Sequence, residues 1–228
     1  MKIVIDREDK KVTYKVPFKS TTLLKALYHI KNYQDPTLTF SSNCRSGVCG
    51  ECAVRVNGKE VLACSTKINS GEEILVSPLR YHKIQRDLKV DRKEPQKRLK
   101  SATSWLKISK EVTIGISDVG ESEKQSDCIL CSSCYSACPV LEVNSNFIGP
   151  FALTRAYRYI ADPRESNIKE TIDNIQNSGI WDCTLCGECT AVCPQNIDPK
   201  MDIIKLRTLS AQFGYSDPNF ISMSFGSF

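Results

Sequence analysis

The chain opens with two short apolar runs, residues 2–5 and 12–16, on either side of the polar stretch 6–11. That pattern predicts a β-hairpin. Ser20 and Thr21 offer a helix cap ahead of Leu23, Leu24, Leu27 and Ile30, which recur at helical spacing. Asn57-Gly58 lies between the runs 53–56 and 61–63, and such a dipeptide is a strong short-range hairpin signal. Residues 74–77 predict a last strand, stopped by Pro78. From residue 98 the pattern turns helical. Residues 152–160 and 168–175 carry apolar positions at a helix period, and Asp198-Pro199 reads as a cap and first-turn proline leading into a helix over 201–209. Gly214 is placed to end it. The expectation is a small mixed sheet with one helix, then an all-helical half.

Charge and hydropathy narrow the setting. No apolar run approaches the ~18–20 residues that would span a bilayer. The start, Met1-Lys2-Ile3-Val4-Ile5-Asp6, lacks the length and the small-residue cleavage site of a secretory signal. The expected location is therefore cytoplasmic, unless a partner carries the chain across a membrane. Between Arg80 and Lys110 there are eleven Lys/Arg against three Asp/Glu, in a chain whose net charge is +5. The excess of positive charge is thus local, and the remainder of the chain is slightly acidic. Such a stretch reads as a solvated linker, or as a docking strip for an acidic partner or anionic headgroups. No nucleic-acid motif accompanies it. The tail after Gly214 has no Lys or Arg and carries Phe220, Phe225 and Phe228, a frayed terminus or a partner contact.

The twelve cysteines change the picture most. A disulfide scaffold fits badly with this length, with the expected compartment and with three tight cysteine groups. Cys44, Cys49 and Cys52 are followed by Cys64, the plant-type [2Fe–2S] spacing. Small residues fill the loop 41–50, and Gly47 and Gly50 let backbone amides approach sulfur. Zinc is the competing occupant, but structural zinc prefers paired short spacings. Two further runs match cysteine for cysteine: Cys128, Cys131, Cys134, Cys138-Pro139, and Cys183, Cys186, Cys189, Cys193-Pro194. Each is the bacterial-ferredoxin run, in which the fourth cysteine binds the other cluster. One [4Fe–4S] is expected on Cys128, Cys131, Cys134 and Cys193, the other on Cys138, Cys183, Cys186 and Cys189. The fold class expected is α+β: a β-grasp plant-type ferredoxin domain over 1–97, followed by an all-α, two-cluster bacterial-ferredoxin-like domain over 98–228. His29 and His82 read as surface or packing histidines. Trp105 and Trp181 read as packing residues, with Trp181 placed to shield Cys183. No Gly-rich phosphate loop and no catalytic triad or carboxylate pair stands out, so catalytic residues are expected elsewhere than on this chain.

The order of these groups resembles the iron–sulfur subunit of the succinate dehydrogenase/fumarate reductase family. The resemblance rests on Cys44-Arg45-x-Gly47-x-Cys49-Gly50-x-Cys52-Ala53, Asn57-Gly58, Leu62-Ala63-Cys64 and Arg86-Asp87-Leu88-x-Val90-Asp91. It continues through Phe147-Ile148-Gly149-Pro150, Ala156-Tyr157-Arg158-Tyr159 and Asp162-Pro163-Arg164. It implies an electron-transfer subunit of an oxidoreductase, with no substrate chemistry of its own. Its partners would be an FAD-bearing flavoprotein, docked on the face around Cys44–Cys52, and a membrane-facing, quinone-linked subunit. Common members hold a [3Fe–4S] cluster in the last run. Cys186 fills their gap, which resembles the branch with a second [4Fe–4S] and a Cys-Cys-Gly-rich partner. The tryptophan and histidine of the ubiquinone-type pocket are replaced by Val143 and Thr184, so quinone is expected on the partner. The alternatives are a wiring subunit of another flavoenzyme or of a heterodisulfide/thiol-linked reductase, and a stand-alone ferredoxin-like carrier or redox sensor.

Overall fold

The computed structural model describes residues 1–8, 10–71, 73–107 and 109–218. Phe220, Phe225 and Phe228 lie outside the described residues. The strands are β1 (Lys2–Arg7), β2 (Lys10–Lys15), β3 (Ser20–Thr22), β4 (Ala53–Val56), β5 (Lys59–Leu62), β6 (Lys67–Asn69), β7 (Glu73–Ser77), β8 (Lys83–Arg86) and β9 (Lys89–Asp91). The helices are α1 (Leu23–Tyr33), α2 (Lys93–Ser101), α3 (Ile116–Ser126), α4 (Ser133–Ala137), α5 (Val140–Val143), α6 (Pro150–Ile160), α7 (Ile168–Asn174), α8 (Glu188–Ala191) and α9 (Pro199–Gln212). Among the described residues no helix is long and apolar enough to cross a membrane.

The backbone divides into two compact units. The first comprises Met1–Gln96, Cys128–Cys138 and Glu188–Asn196. Its main sheet runs β2-β1-β7-β4-β5, with β1 and β7 parallel and the other neighbours antiparallel. The predicted hairpin at Asn57-Gly58 closes as a two-residue turn, with Val56 opposite Lys59 and both turn residues at positive φ. One cap differs from expectation. Ser20–Thr22 pair with Lys67–Asn69 as a short ladder, so Thr22, not Ser20 or Thr21, caps α1, and its Oγ1 accepts from the Lys25 amide. Thr22 ends the ladder directly before Leu23, which puts its hydroxyl, and not that of Ser20 or Thr21, at the first turn of the helix. Leu23, Leu24, Leu27 and Ile30 of α1 are buried against Ile3, Ile5 and Val76 in one core. Each such side chain contributes roughly 2 kcal/mol of burial.

Polar groups lock this unit at two places. Arg7 Nε donates to Asp87 Oδ1 at 2.8 Å, and its guanidinium also reaches Tyr14 and Asp35. Asp87 is buried and accepts from the Thr39 amide at 2.8 Å, so it ties β1 to the loop before the cysteines. On β5, the buried Glu60 accepts from Ser136 Oγ of α4 at 2.7 Å. The Arg80 amide donates to the same hydroxyl at 2.8 Å, and Arg80 Nε to the Ser136 carbonyl at 3.0 Å. These bonds fasten the first bacterial-type run to the sheet.

The second unit comprises Lys97–Asp127, Pro139–Gly187 and the described residues from Ile197. Helix α6 starts at Pro150, where the chain has no amide to lose, and buries Phe151, Leu153, Ala156 and Tyr157. It packs against α3 and α9. As predicted, Asp198 caps α9 by accepting from the Met201 amide at 3.0 Å. The basic stretch 80–110 is folded into β8, β9 and α2, and it is not a bare linker. Arg98 donates to the carbonyls of Ser145 and Phe147, and the Lys107 amide to buried Glu165. The β8 side chains stay exposed.

Candidate metal centres

None of the twelve cysteines is joined in a disulfide. The first group sits on the loop between α1 and β4, where Arg45, Gly47 and Gly50 adopt positive φ. Those kinks turn amides inward. The Ser46 amide donates to Cys44 Sγ at 3.4 Å, and the Cys64 amide to Cys52 Sγ at 3.4 Å. The amides of Ser46 and Val48 and the neighbouring Cys49 thiol hold Cys44 down at about 6. Burial pushes Cys52 up to about 11. Tyr28 of α1 steadies the loop from outside: its hydroxyl pairs with Ser42 Oγ at 2.6 Å, and the Arg45 guanidinium lies over its ring at 5.1 Å.

The second and third groups repeat each other in backbone as well as in letters. Leu130 and Leu185 are both left-handed, as are Ser132 and Gly187. A short helix follows at the same offset, α4 from Ser133 and α8 from Glu188. Each copy thus has one left-handed residue between its first and second cysteines and another between its second and third.

Cys131 is buried, and burial raises its thiol. Burial raises Cys134 well above its ordinary range, and the charges of Cys131, Cys128, Cys189 and Cys193 add to this. In the second unit, burial raises Cys183, opposed by the Leu185 amide at 3.4 Å and by Arg207. Arg207 also donates to the Cys183 carbonyl at 2.7 Å and stacks on Trp181, whose indole donates to Gln176. Cys138 and Cys189 are buried, and Cys186 is exposed.

Buried thiols of this kind are costly as bare thiolates, and iron in place of the proton removes that cost. Amides aimed at sulfur are the donors that cluster sulfurs accept. The donor set therefore fits iron–sulfur clusters. Among the described residues no three His, Cys, Asp or Glu side chains converge on one point, as ligands of a single ion do. His29 packs on Phe18 and Tyr33. His82 packs edge-on against Tyr135, while its Nδ1 pairs with the Arg80 carbonyl. Trp105 is half-exposed.

Known proteins agree with this chemistry. Residues 3–97 match the family described as "2Fe-2S iron-sulfur cluster binding domain", and residues 124–197 match "4Fe-4S dicluster domain". The 8-methylmenaquinol:fumarate reductase iron-sulfur subunit of Wolinella succinogenes is 35% identical over 94% of this chain and 74% of its own. The chain belongs to the iron–sulfur subunits of the succinate dehydrogenase/fumarate reductase family. The fumarate reductase iron-sulfur subunit of Haemophilus influenzae is 32% identical, over 91% of this chain and 89% of its own. A solved structure, the Mycobacterium smegmatis Sdh1 complex in the apo form, shares the fold with a TM-score of 0.82. It is 24% identical and covers 95% of this chain and 98% of its own. A member of this family is the electron-transfer component of an oxidoreductase complex. Arg92, Arg207, Gln195 and Glu60, which contact the cysteine loops or their supports, carry no motif. Only a folded chain brings them there.

Proposed function

We propose that this subunit carries single electrons between an FAD flavoprotein and a membrane-facing, quinone-linked partner on the cytoplasmic side of the membrane. A [2Fe–2S] cluster would sit on Cys44, Cys49, Cys52 and Cys64, within a β-grasp domain over 1–97. In the helical domain over 98–228, one [4Fe–4S] would take Cys128, Cys131, Cys134 and Cys193, and the other Cys138, Cys183, Cys186 and Cys189. The observation that carries this reading is the doubled run, with its left-handed backbone repeated at matching positions. When bound, the clusters supply one-electron carriers that split the flavin's electron pair. The chain's own residues supply thiolates, aimed amides and burial. Anaerobically purified protein should contain about ten iron atoms per chain, two for the first centre and four for each cubane. Stoichiometric zinc, or about half that iron, would sink the reading.

Cys186 supports a second [4Fe–4S] in place of [3Fe–4S], because a fourth thiolate is available to the last run. Oxidised protein should then lack an intrinsic [3Fe–4S] resonance, and Cys186→Val should create one. Val143 and Thr184 are both exposed, and valine offers a quinone oxygen no donor, threonine only a short hydroxyl. We assign quinone binding to the partner, of the Cys-Cys-Gly type. Photo-labelling of the complex with a quinone analogue should mark that partner, and a label on Val143 or Thr184 would overturn the assignment.

A further inference from the structure

The loop of the first cysteine group and that of the second meet at backbone distance, and both lie in the first unit. Gly50 follows Cys49 and has φ +72°. A Cβ there would stand 2.7 Å from Cys131 Cβ and 2.8 Å from its Cα. No side chain fits in that space, so the two backbones are closer than any other residue would allow.

One arginine holds this contact together. Arg92 follows β9, and its Nη2 donates to the Gly50 carbonyl at 3.0 Å and to the Glu51 carbonyl at 3.1 Å. Its Nη1 lies 3.7 Å from the Glu51 carboxylate, and the side chain is only 14% exposed. Nη2 thus serves both carbonyls while Nη1 turns to the carboxylate, a planar fork over three acceptors that a single ammonium does not reproduce. From the other side, Gln195, two residues beyond Cys193, donates to the Gly47 carbonyl at 3.1 Å.

We propose that Arg92 is a positioning residue for electron transfer between the first two centres: it clamps the Gly50–Glu51 backbone against Cys131 and places a positive charge at the crossing. With both clusters bound, this contact would lie on the path of a single electron, one centre being oxidised as the other is reduced. No bond forms or breaks and no proton moves. The proposal rests on the ligand sets given above, with Cys49 on the [2Fe–2S] centre and Cys131 on the first [4Fe–4S].

The test uses the whole complex, purified anaerobically, with three readouts. These are potentiometric titration of each centre by electron paramagnetic resonance, relaxation enhancement of the [2Fe–2S] signal by the reduced neighbour, and the rate of electron arrival at the cubane after photoreduction. Arg92→Gln removes charge and fork together. It should move the first cubane to a more negative potential, weaken the relaxation enhancement and slow arrival several-fold. Arg92→Lys keeps the charge, so the potential should hold while enhancement and rate still fall. Gly50→Ala should weaken the coupling further where it folds; where it does not, the two Arg92 variants carry the test. Native potentials, enhancement and rate in both Arg92 variants would overturn the proposal. Cys131→Ala, which leaves no donor atom, separates this from the ligand assignment: an unchanged cubane signal in it undoes the assignment, whereas its loss beside native-like Arg92 variants undoes the role of Arg92 alone.

Discussion

Two buried positions show how single residues are tuned. Asp202 of α9 is 2% exposed and accepts from Gln125 Nε2 at 2.7 Å through one oxygen, while the other has no hydrogen-bond partner. Burial pushes this carboxyl up to about 6. An acid whose folded pKa is raised holds its proton in the fold where the unfolded chain has released it. Stability therefore falls as pH rises from about 4 to about 6, by on the order of 3 kcal/mol, and is flat above. Asp202→Asn should remove that dependence, so that the mutant overtakes the native chain near neutral pH in thermal unfolding. A native–mutant difference that stays constant between pH 4 and 7 would rule this out. The other position is Gly187, left-handed like its counterpart Ser132. A Cβ at Gly187 meets only Lys200 Cδ at 3.8 Å, so Gly187→Ala should cost backbone strain alone, roughly 1 kcal/mol in unfolding free energy. A much larger loss would mean that the space is not free.

At the level of elements, α4 depends on a strand distant in sequence. Glu60 on β5 holds Ser136, and Arg80 closes the triangle from both backbone and side chain. Glu60→Ala leaves the Ser136 hydroxyl and nearby arginines without their buried acceptor, at a cost of about 2–3 kcal/mol. Chemical denaturation should show this loss, and iron analysis should show the first cubane depleted before the [2Fe–2S] centre; equal retention of both would contradict it. Elements were legible where their signals are local. Asn57-Gly58 announces its turn, Asp198-Pro199 its helix start, and α1 its buried face. Missed were β3, β6, β8 and β9, each three or four residues long, too short to show a period. Arg92 was hidden for another reason: among the eleven basic residues of 80–110, the letters do not distinguish the engaged arginines, Arg80, Arg92 and Arg98, from solvated neighbours.

Across the whole molecule, the cysteine groups were readable because cluster ligation demands fixed spacing within a few residues. The interleaving of the first unit from three separate segments was not, since only long-range packing creates it. No flavin-binding loop was found in the sequence, so the isolated chain should show no succinate or fumarate turnover with dye acceptors, and activity should return with the flavoprotein. Turnover by the chain alone would remove the need for that partner. Substitutions at Arg45 or Ser46 that keep the [2Fe–2S] spectrum should weaken the complex; wholly unchanged assembly and electron transfer would count against that docking face.

The three-part make-up of the first unit has a consequence for synthesis. A ribosome adds roughly 5–20 residues per second, so about 5–20 s separate the emergence of Gln96 from that of Asn196. During that interval the nascent chain carries every strand of the sheet, but until Ser136 is translated Glu60 has no partner in α4. Gly47 waits longer still for Gln195. Iron delivered to the leading cysteine group in that interval enters a half-built pocket, so the machinery that loads this subunit has reason to wait for a nearly finished polypeptide.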